Sequence, residues 1–306
     1  MKLRLFILLG LFCLNATAQK IDRQAVVRRH NVNVSKIDSL SSLSVGNGQF
    51  AFTVDATGLQ SFPDYYSKGV GLGTQSEWGW HSFLNTQKYK FEETLKTYDL
   101  EGRKIPYTVQ IKEPERSKQA VDYFRVNPHR LQLGNIGLEI KKKDGSLAGL
   151  SDIQHIDQQL DLWTGMIKSK FTVEDVSVEV TTYAHQQMDA IAVRIVSPLI
   201  AQHRLSIRLR FPYPNAQFKD VGNNYSSETK HTTNVEKRSS GYILLHRELD
   251  ECNYYVQASW KQNAAFAIKQ PHYFLISPSG NDNVFEAGFL FSPANDGTEV
   301  PSFSET

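Results

Sequence analysis

Between residues 153 and 196, four consecutive runs have the composition of β-strands, and apolar and polar side chains alternate most clearly in the second and third. They are Ile153–Trp163, Met166–Val173, Val176–Thr182 and Ala190–Val196. A repeat of two places the apolar residues on one face of an extended strand, and that face has to be buried against another layer. The spacing of the runs, with turn-forming residues between them, predicts antiparallel strands in a sandwich and argues against alternating strands and helices.

The same pattern recurs on both sides of this block, whereas helical periodicity is scarce. Further strands are predicted at Gln49–Asp55, Leu205–Phe211, Tyr242–His246, Tyr254–Ala258, Tyr273–Ser277 and Val284–Phe291, and within Leu131–Ile140 around a turn at Gly134-Asn135. Phe91–Tyr98 fits either a short turn or a strand, Glu113–Lys118 an exposed loop, and Lys219–Arg238 a long polar excursion. The sequence therefore predicts an all-β fold with few short helices.

The first 18 residues have the pattern of a secretory signal peptide and not of a folded element. Two basic residues precede the apolar run Leu5–Leu14, and Ala16–Ala18 supplies the small residues of a cleavage site. Cleavage there would give an exported chain, periplasmic or secreted, that begins near Gln19 and keeps no membrane segment. It would also leave Cys252 as the single cysteine, for which the simplest role is that of a small buried apolar residue.

Charge and motif content argue against several classes of function. The chain has 34 basic and 32 acidic residues, a net charge of +2, so there is no electrostatic basis for nucleic-acid binding. The signatures GxSxG, HExxH, the P-loop and GxGxxG are missing, and the nine histidines show no paired ligand spacing. We therefore predict no cofactor, no metal site and no catalytic residue within this sequence.

The stretch TQSEWGWHSF, residues 74–83, combines two tryptophans with polar neighbours in a glycine-rich loop. The faces of Trp78 and Trp80 can pack on the apolar face of a sugar ring, while Glu77 and His81 bond its hydroxyl groups. The alternative, about equally weighted, is that a tryptophan closes the end of the sandwich and donates its N–H to a loop carbonyl. We predict these four residues as a substrate-binding set, with an oligosaccharide or glycan as the partner.

Three longer stretches resemble a known group of enzymes. They are Arg28–Pro63, which contains SVGNGQFAF, then Gly71–Phe83, and Gln159–Ser197, which runs from LDLWTG to AVRI. Together they resemble the N-terminal β-sandwich of six-hairpin glycoside hydrolases, in particular exported Bacteroidetes-type proteins similar to family sixty-five and, more loosely, family ninety-five. The resemblance implies a galactose-mutarotase-like super-sandwich of antiparallel strands.

In that group a linker and a catalytic (α/α)6 barrel follow the sandwich, so the resemblance implies such a barrel as a partner. We therefore expect a signal peptide at 1–18, the sandwich at 19–291 and the start of a linker at 292–306. The sandwich would support the barrel of a periplasmic glycosidase in carbohydrate metabolism. It would lend the loop of Trp78, Trp80 and His81 to the sugar pocket.

Two other functions stay open from the sequence. The chain could act alone as a carbohydrate-binding protein through the same tryptophans. It could also be a mutarotase-type epimerase, which needs an acid and a base near each other. The candidates for that pair are His155, His185 and Glu179, and no spacing aligns them.

Overall fold

The computed structural model describes residues 21–304, which form mainly antiparallel β-sheets. Strands account for 44% of the residues and helices for 13%, so the predicted all-β sandwich is confirmed. The predicted signal peptide lies outside the described residues.

One layer of the sandwich is a nine-stranded antiparallel sheet, with its strands numbered in chain order. In spatial order they are β1 (Val32–Val34), β10 (Gln154–Asp161), β11 (Met166–Val173), β12 (Val176–Ala184), β13 (Ala190–Val196), β20 (Val284–Ser292), β17 (Cys252–Trp260), β16 (Tyr242–Leu249) and β15 (His231–Ser239). The predicted ranges of β11 and β13 match the observed ones because β11 alternates buried and less buried residues, and β13 is an almost unbroken apolar run.

Two smaller sheets form the second layer. One contains β18 (Ala264–Gln270), β19 (Tyr273–Pro278), β14 (Leu205–Arg210) and β9 (Asn135–Ile140), and the other β2 (Leu43–Gly46), β3 (Phe50–Val54) and β4 (Thr74–Ser76). Apolar residues of all three sheets join in a single core. Phe50 of β3, for example, stacks on Phe291 of β20 with ring centroids 5.8 Å apart.

Helices are short and lie at the margins of the sandwich. They are α1 (Arg23–Arg28), α2 (Pro63–Tyr66), α3 (Glu115–Val126) and α4 (Pro198–Ala201), with 3-10 turns at Phe91–Thr94, Leu150–Asp152 and Glu228–Lys230. Among residues 21–304, no helix combines the length and the apolar character needed to cross a bilayer.

Residues 82–128 form an insert that leaves the sandwich and returns to it at one place. It begins after β5 (Trp80–His81) and ends before β8 (His129–Arg130), and these two short strands pair with each other. The insert contains a hairpin of β6 (Leu95–Leu100) and β7 (Arg103–Thr108), followed by α3.

The prediction of an exposed loop at Glu113–Lys118 is wrong, because α3 begins at Glu115. Pro114 stands just before the first helical residue, where its missing N–H removes no helical hydrogen bond. The prediction of a long polar loop at Lys219–Arg238 is also wrong for the second half of this range. Residues from His231 onward form β15, whose polar sequence suits its place at the edge of the large sheet.

The segment after β20 turns back onto the outer face of the large sheet. Gln257 donates to the carbonyl of Thr298 at 3.0 Å, and a Cβ added to Gly288 would lie 2.7 Å from the carbonyl oxygen of Pro301. Glycine at position 288 therefore lets the segment approach the sheet closely. The assignment of 292–306 as the start of a linker stays a prediction.

Candidate functional site

The aromatic loop lies where β4 ends and the insert begins. The β5–β8 pairing places Trp80 opposite Arg130 and His81 opposite His129. Alternate residues of a strand point to opposite faces, so Trp80 is largely exposed and His81 is buried. The four predicted site residues therefore have different environments, although they are adjacent in sequence.

Trp78 is anchored in the sandwich. Its indole N–H donates to the Asp189 carboxylate at 2.6 Å, and the same carboxylate accepts from the Ser76 hydroxyl. The Trp78 ring also packs against Tyr254, with ring centroids 6.0 Å apart. These contacts fit the alternative raised from the sequence, in which one tryptophan closes the end of the sandwich, except that the acceptor of the N–H is a carboxylate and not a loop carbonyl.

Trp80, in contrast, offers an aromatic surface to solvent. It is 45% exposed, and its indole N–H donates to the carbonyl of Glu77 at 2.9 Å. The guanidinium of Arg130 lies 4.1 Å from the Trp80 ring centroid and donates to the carbonyls of Ser76 and Glu77. Arg130 thus holds the indole in place as a cation–π partner and fixes the loop backbone at the same time.

Two depressions adjoin Arg130, the residue that lies over the Trp80 ring, and Trp80 itself lines neither of them. A groove of about 390 Å³ runs along the β2–β3 turn and is lined by Glu77 among others. A cleft of about 170 Å³ lies on the other side, lined in part by His129 and Asp220. Gln75 and Arg130 line both depressions. The groove falls within the roughly 300–1,000 Å³ usual for small-molecule sites, and its amide, guanidinium and carboxylate groups suit hydroxyl-rich ligands.

His81 is buried beneath this surface and makes hydrogen bonds through both ring nitrogens. Its Nε2 lies 2.8 Å from Oδ2 of Asp250, and its Nδ1 lies 3.2 Å from Nε2 of His129. The Tyr213 hydroxyl donates to the same Asp250 oxygen at 2.7 Å. Burial lowers the pKa of His81, while the hydrogen bond to Asp250 opposes that shift. Both ring nitrogens are engaged, so a direct sugar contact by His81, which stays a prediction, would require this network to open.

A second buried network lies next to the first. Arg247 is fully buried and has no carboxylate partner within residues 21–304. Its guanidinium donates to the Thr232 carbonyl, the Thr233 hydroxyl and Nδ1 of His231, at 2.7, 2.6 and 2.7 Å. Burial, then repulsion by Arg247, lowers the pKa of His231 to about 3. The neutral imidazole is what allows the buried guanidinium to find an acceptor there.

Cys252 links the loop to this end of the large sheet. The residue is partly buried against the core, and its thiol donates to the carbonyl of Trp80 at 3.2 Å. Burial raises the pKa of this thiol, so it stays protonated. Its role is that of a packed donor, close to the one predicted.

The candidate residues for epimerase chemistry are not brought together. Glu179 pairs with Lys168 and Lys170 on the outer face of the large sheet, at 2.8 and 3.2 Å. His185 lies six positions further along the same chain segment, or about 20 Å for an extended strand, and its Nδ1 accepts from backbone N–H groups. Residues 21–304 also contain no group of three or more side chains placed to hold a metal ion.

Sequence reasoning missed Gln75, His129, Arg130 and Asp250. Arg130 and His129 are 50 and 48 positions from their strand partners in the loop, and no local pattern connects residues that far apart. An exposed tryptophan commonly has an arginine as a cation–π partner, but the sequence does not identify which arginine that is.

Comparison with known proteins gives one informative result. No protein-family model and no curated protein matches the sequence. Among solved structures, the chain is similar to a protein from the human microbiome that is provisionally described as a kojibiose phosphorylase, with a TM-score of 0.51 and 9% identity. The similarity covers 87% of this chain but 32% of that one. At this identity the comparison concerns the fold alone. The chain therefore has the sandwich fold found in part of a larger protein of that description.

Proposed function

We propose that this chain is the N-terminal sandwich domain of an exported, periplasmic enzyme that breaks or transfers glycosidic bonds. In this role the sandwich supports a catalytic (α/α)6 barrel and contributes the surface of Trp80, Arg130 and Glu77 to the wall of the sugar site. The observation that carries the proposal is the extent of the structural match. Nearly the whole chain, 87%, corresponds in fold to about a third of the protein provisionally described as a kojibiose phosphorylase.

The site geometry adds support because some residues of the loop fix its structure while another stays exposed. Trp78 and His81 are fixed by Asp189 and Asp250 respectively, so they hold the loop in place. Trp80 remains 45% exposed and is stiffened by Arg130. A pre-ordered aromatic face flanked by planar polar groups is a suitable surface for a sugar ring, because little conformational entropy is lost when the ring packs on it.

The size of the native polypeptide tests the proposal directly. An antibody raised to this chain should detect, in a periplasmic extract, a band far larger than the 34.7 kDa of this sequence. A band at that mass or slightly below would contradict the barrel. If the large form exists, it should be purified and assayed on disaccharides with and without inorganic phosphate. Activity that depends on phosphate would indicate a phosphorylase, and activity without phosphate a hydrolase.

The second candidate is a standalone carbohydrate-binding protein, and the exposed Trp80 favours it. Calorimetry of the chain against a broad glycan set would then give binding that Trp80→Ala abolishes. Trp163 offers a matched control because it is 48% exposed and lies in a different turn. Trp163→Ala should leave binding unchanged, and equal losses in both variants would mean that Trp80 is not the contact.

A further inference from the structure

The hairpin of β6 and β7 projects from the insert with hardly any cover. Nearly every residue of both strands is exposed, and the two strands pair only with each other among the described residues. Tyr98, Leu100 and Tyr107 are 38%, 48% and 54% exposed, and they share one face with the partly covered Ile105. An isolated two-stranded hairpin is marginally stable in water, and three or more strands with an apolar face are needed for independent stability.

In an antiparallel hairpin, hydrogen-bonded residue pairs alternate with non-hydrogen-bonded pairs, whose backbone groups face outward. Leu100 and Arg103 flank a two-residue turn at Glu101-Gly102, where both residues have positive φ, as in a type I′ turn. The residues that flank such a turn form a hydrogen-bonded pair, and such pairs then alternate along the ladder. The N–H of Val109 donates to the carbonyl of Thr94 at 3.3 Å, and this pair is hydrogen-bonded as the same alternation requires.

The two free edges of the hairpin are not equivalent. By this alternation, the outward-facing groups of β6 belong to Leu95, Thr97 and Asp99. The N–H of Leu95 already donates to the carbonyl of Glu92, so the outward N–H groups open to a further strand are those of Thr97 and Asp99. On β7 the central outward position is Pro106, which has no N–H. The β6 edge can therefore accept another strand, whereas the β7 edge lacks its middle donor.

We propose that the β6 edge pairs antiparallel with the β6 edge of a second copy of this chain. A two-fold axis perpendicular to the sheet at Thr97 pairs Thr97 with itself and Leu95 with Asp99 of the other copy. The N–H groups of Thr97 and Asp99 then donate to the carbonyls of Thr97 and Leu95 of the other copy, while the N–H of Leu95 keeps its bond to Glu92. The same register places Lys96 opposite Tyr98 of the other copy. Lys96 already lies over its own Tyr98 ring at 5.4 Å, so a cation–π contact across the axis needs little rearrangement.

The product is a four-stranded antiparallel sheet with one continuous aromatic face. It meets the strand number that a lone hairpin lacks, and its interface is isologous, as expected for a two-fold dimer. A six-residue strand is only about 20 Å long, so the contact is small and the dimer is expected to be concentration-dependent. The inference concerns the insert alone and does not depend on the proposed enzymatic function.

Sedimentation of the full chain over about 1–100 µM tests the dimer. We expect a monomer–dimer equilibrium, and Thr97→Pro should weaken it at least about tenfold, because the central pair of hydrogen bonds is lost while the hairpin ladder is kept. Lys104→Pro removes an outward N–H from the β7 edge and is the matched control, so its equilibrium should match the wild type. A monomer at every concentration, or a dimer unaffected by Thr97→Pro, would overturn the proposal.

The register has its own test in a background where both cysteines, Cys13 and Cys252, are replaced by serine. Thr97→Cys places the two thiols across the two-fold axis, where Cα atoms of a hydrogen-bonded pair are about 5.5 Å apart and a disulfide can form. Mild oxidation should give a covalent dimer on a non-reducing gel. Thr108→Cys, on the far edge of the hairpin, should stay monomeric, and equal cross-linking of both variants would reject this register.

Discussion

Acid should destabilise this protein through the buried pair of Arg247 and His231. His231 accepts from Arg247 through Nδ1 at 2.7 Å, so this nitrogen cannot be protonated in the folded state without losing the bond. Burial, then repulsion by Arg247 and His272, lowers the His231 pKa from 6.5 to about 3. The unfolded chain releases the same proton near pH 6.5, so the two states bind protons differently over a wide range of pH.

The sign and size of the effect follow from proton linkage. Below pH 6.5 the unfolded state binds a proton that the folded state excludes until about pH 3, so the contribution of His231 is fully present above pH 6.5 and declines as the pH falls. A pH of 4.5 lies two units below the unfolded-state pKa of 6.5, so His231 has by then lost about 3 kcal/mol of its contribution to the free energy of unfolding. Since domains are stable by only about 5–15 kcal/mol, the loss should be easy to measure.

Urea unfolding, followed by tryptophan fluorescence between pH 7.5 and 4.5, provides the assay. His231→Gln keeps an acceptor but cannot titrate, so its stability should fall by about 3 kcal/mol less than that of the wild type over this range. The pKa values of His81 and His272 are also lowered by burial, so the variant should retain part of the slope. His30, which is exposed, supplies the control His30→Gln. Parallel losses in wild type and His231→Gln would refute the reasoning.

Three further substitutions test the packing around the site by the same unfolding assay. Trp78→Ala should lower the free energy of unfolding by about 3–5 kcal/mol because it removes a core-packed indole, whereas Trp80→Ala should cost less than about 1 kcal/mol. Equal costs would mean that the two tryptophans are not differently placed. Gly58→Ala should cost about 1–3 kcal/mol, since Gly58 has a φ of +82° and an added Cβ would lie 2.8 Å from the Ser169 hydroxyl. A neutral Gly58→Ala would show that the turn relaxes freely.

The sequence alone was a good guide to the strands of the sandwich. The runs at 166–173 and 190–196 were predicted with the observed bounds. A turn was also expected between the runs 166–173 and 176–182, and Glu174 and Asp175 in that gap have positive φ, at 48° and 63°. These successes share one cause, which is that alternation and turn chemistry are local properties of adjacent residues.

Local patterns failed where polar sequences form regular structure. The first turn of helix α3, residues 115–118, contains no apolar residue and follows a proline, while β15 lies at a sheet edge with much of its surface in water. Only the start of the β6–β7 hairpin was addressed, since Phe91–Tyr98 was expected as a short turn or a strand and β7 was not predicted. The residues of both strands are exposed on both faces. Without a buried face, no apolar periodicity marks such elements.

The aromatic loop shows the same division. The sequence by itself determined that Trp78 and Trp80 lie together in a glycine-rich turn of an all-β chain. Only the tertiary structure decided that Trp78 is held by Asp189, 111 positions away, while Trp80 stays exposed on Arg130. The side on which a strand residue lies follows from local alternation. Which side becomes buried, and by which partner, depends on chain segments that only folding brings together.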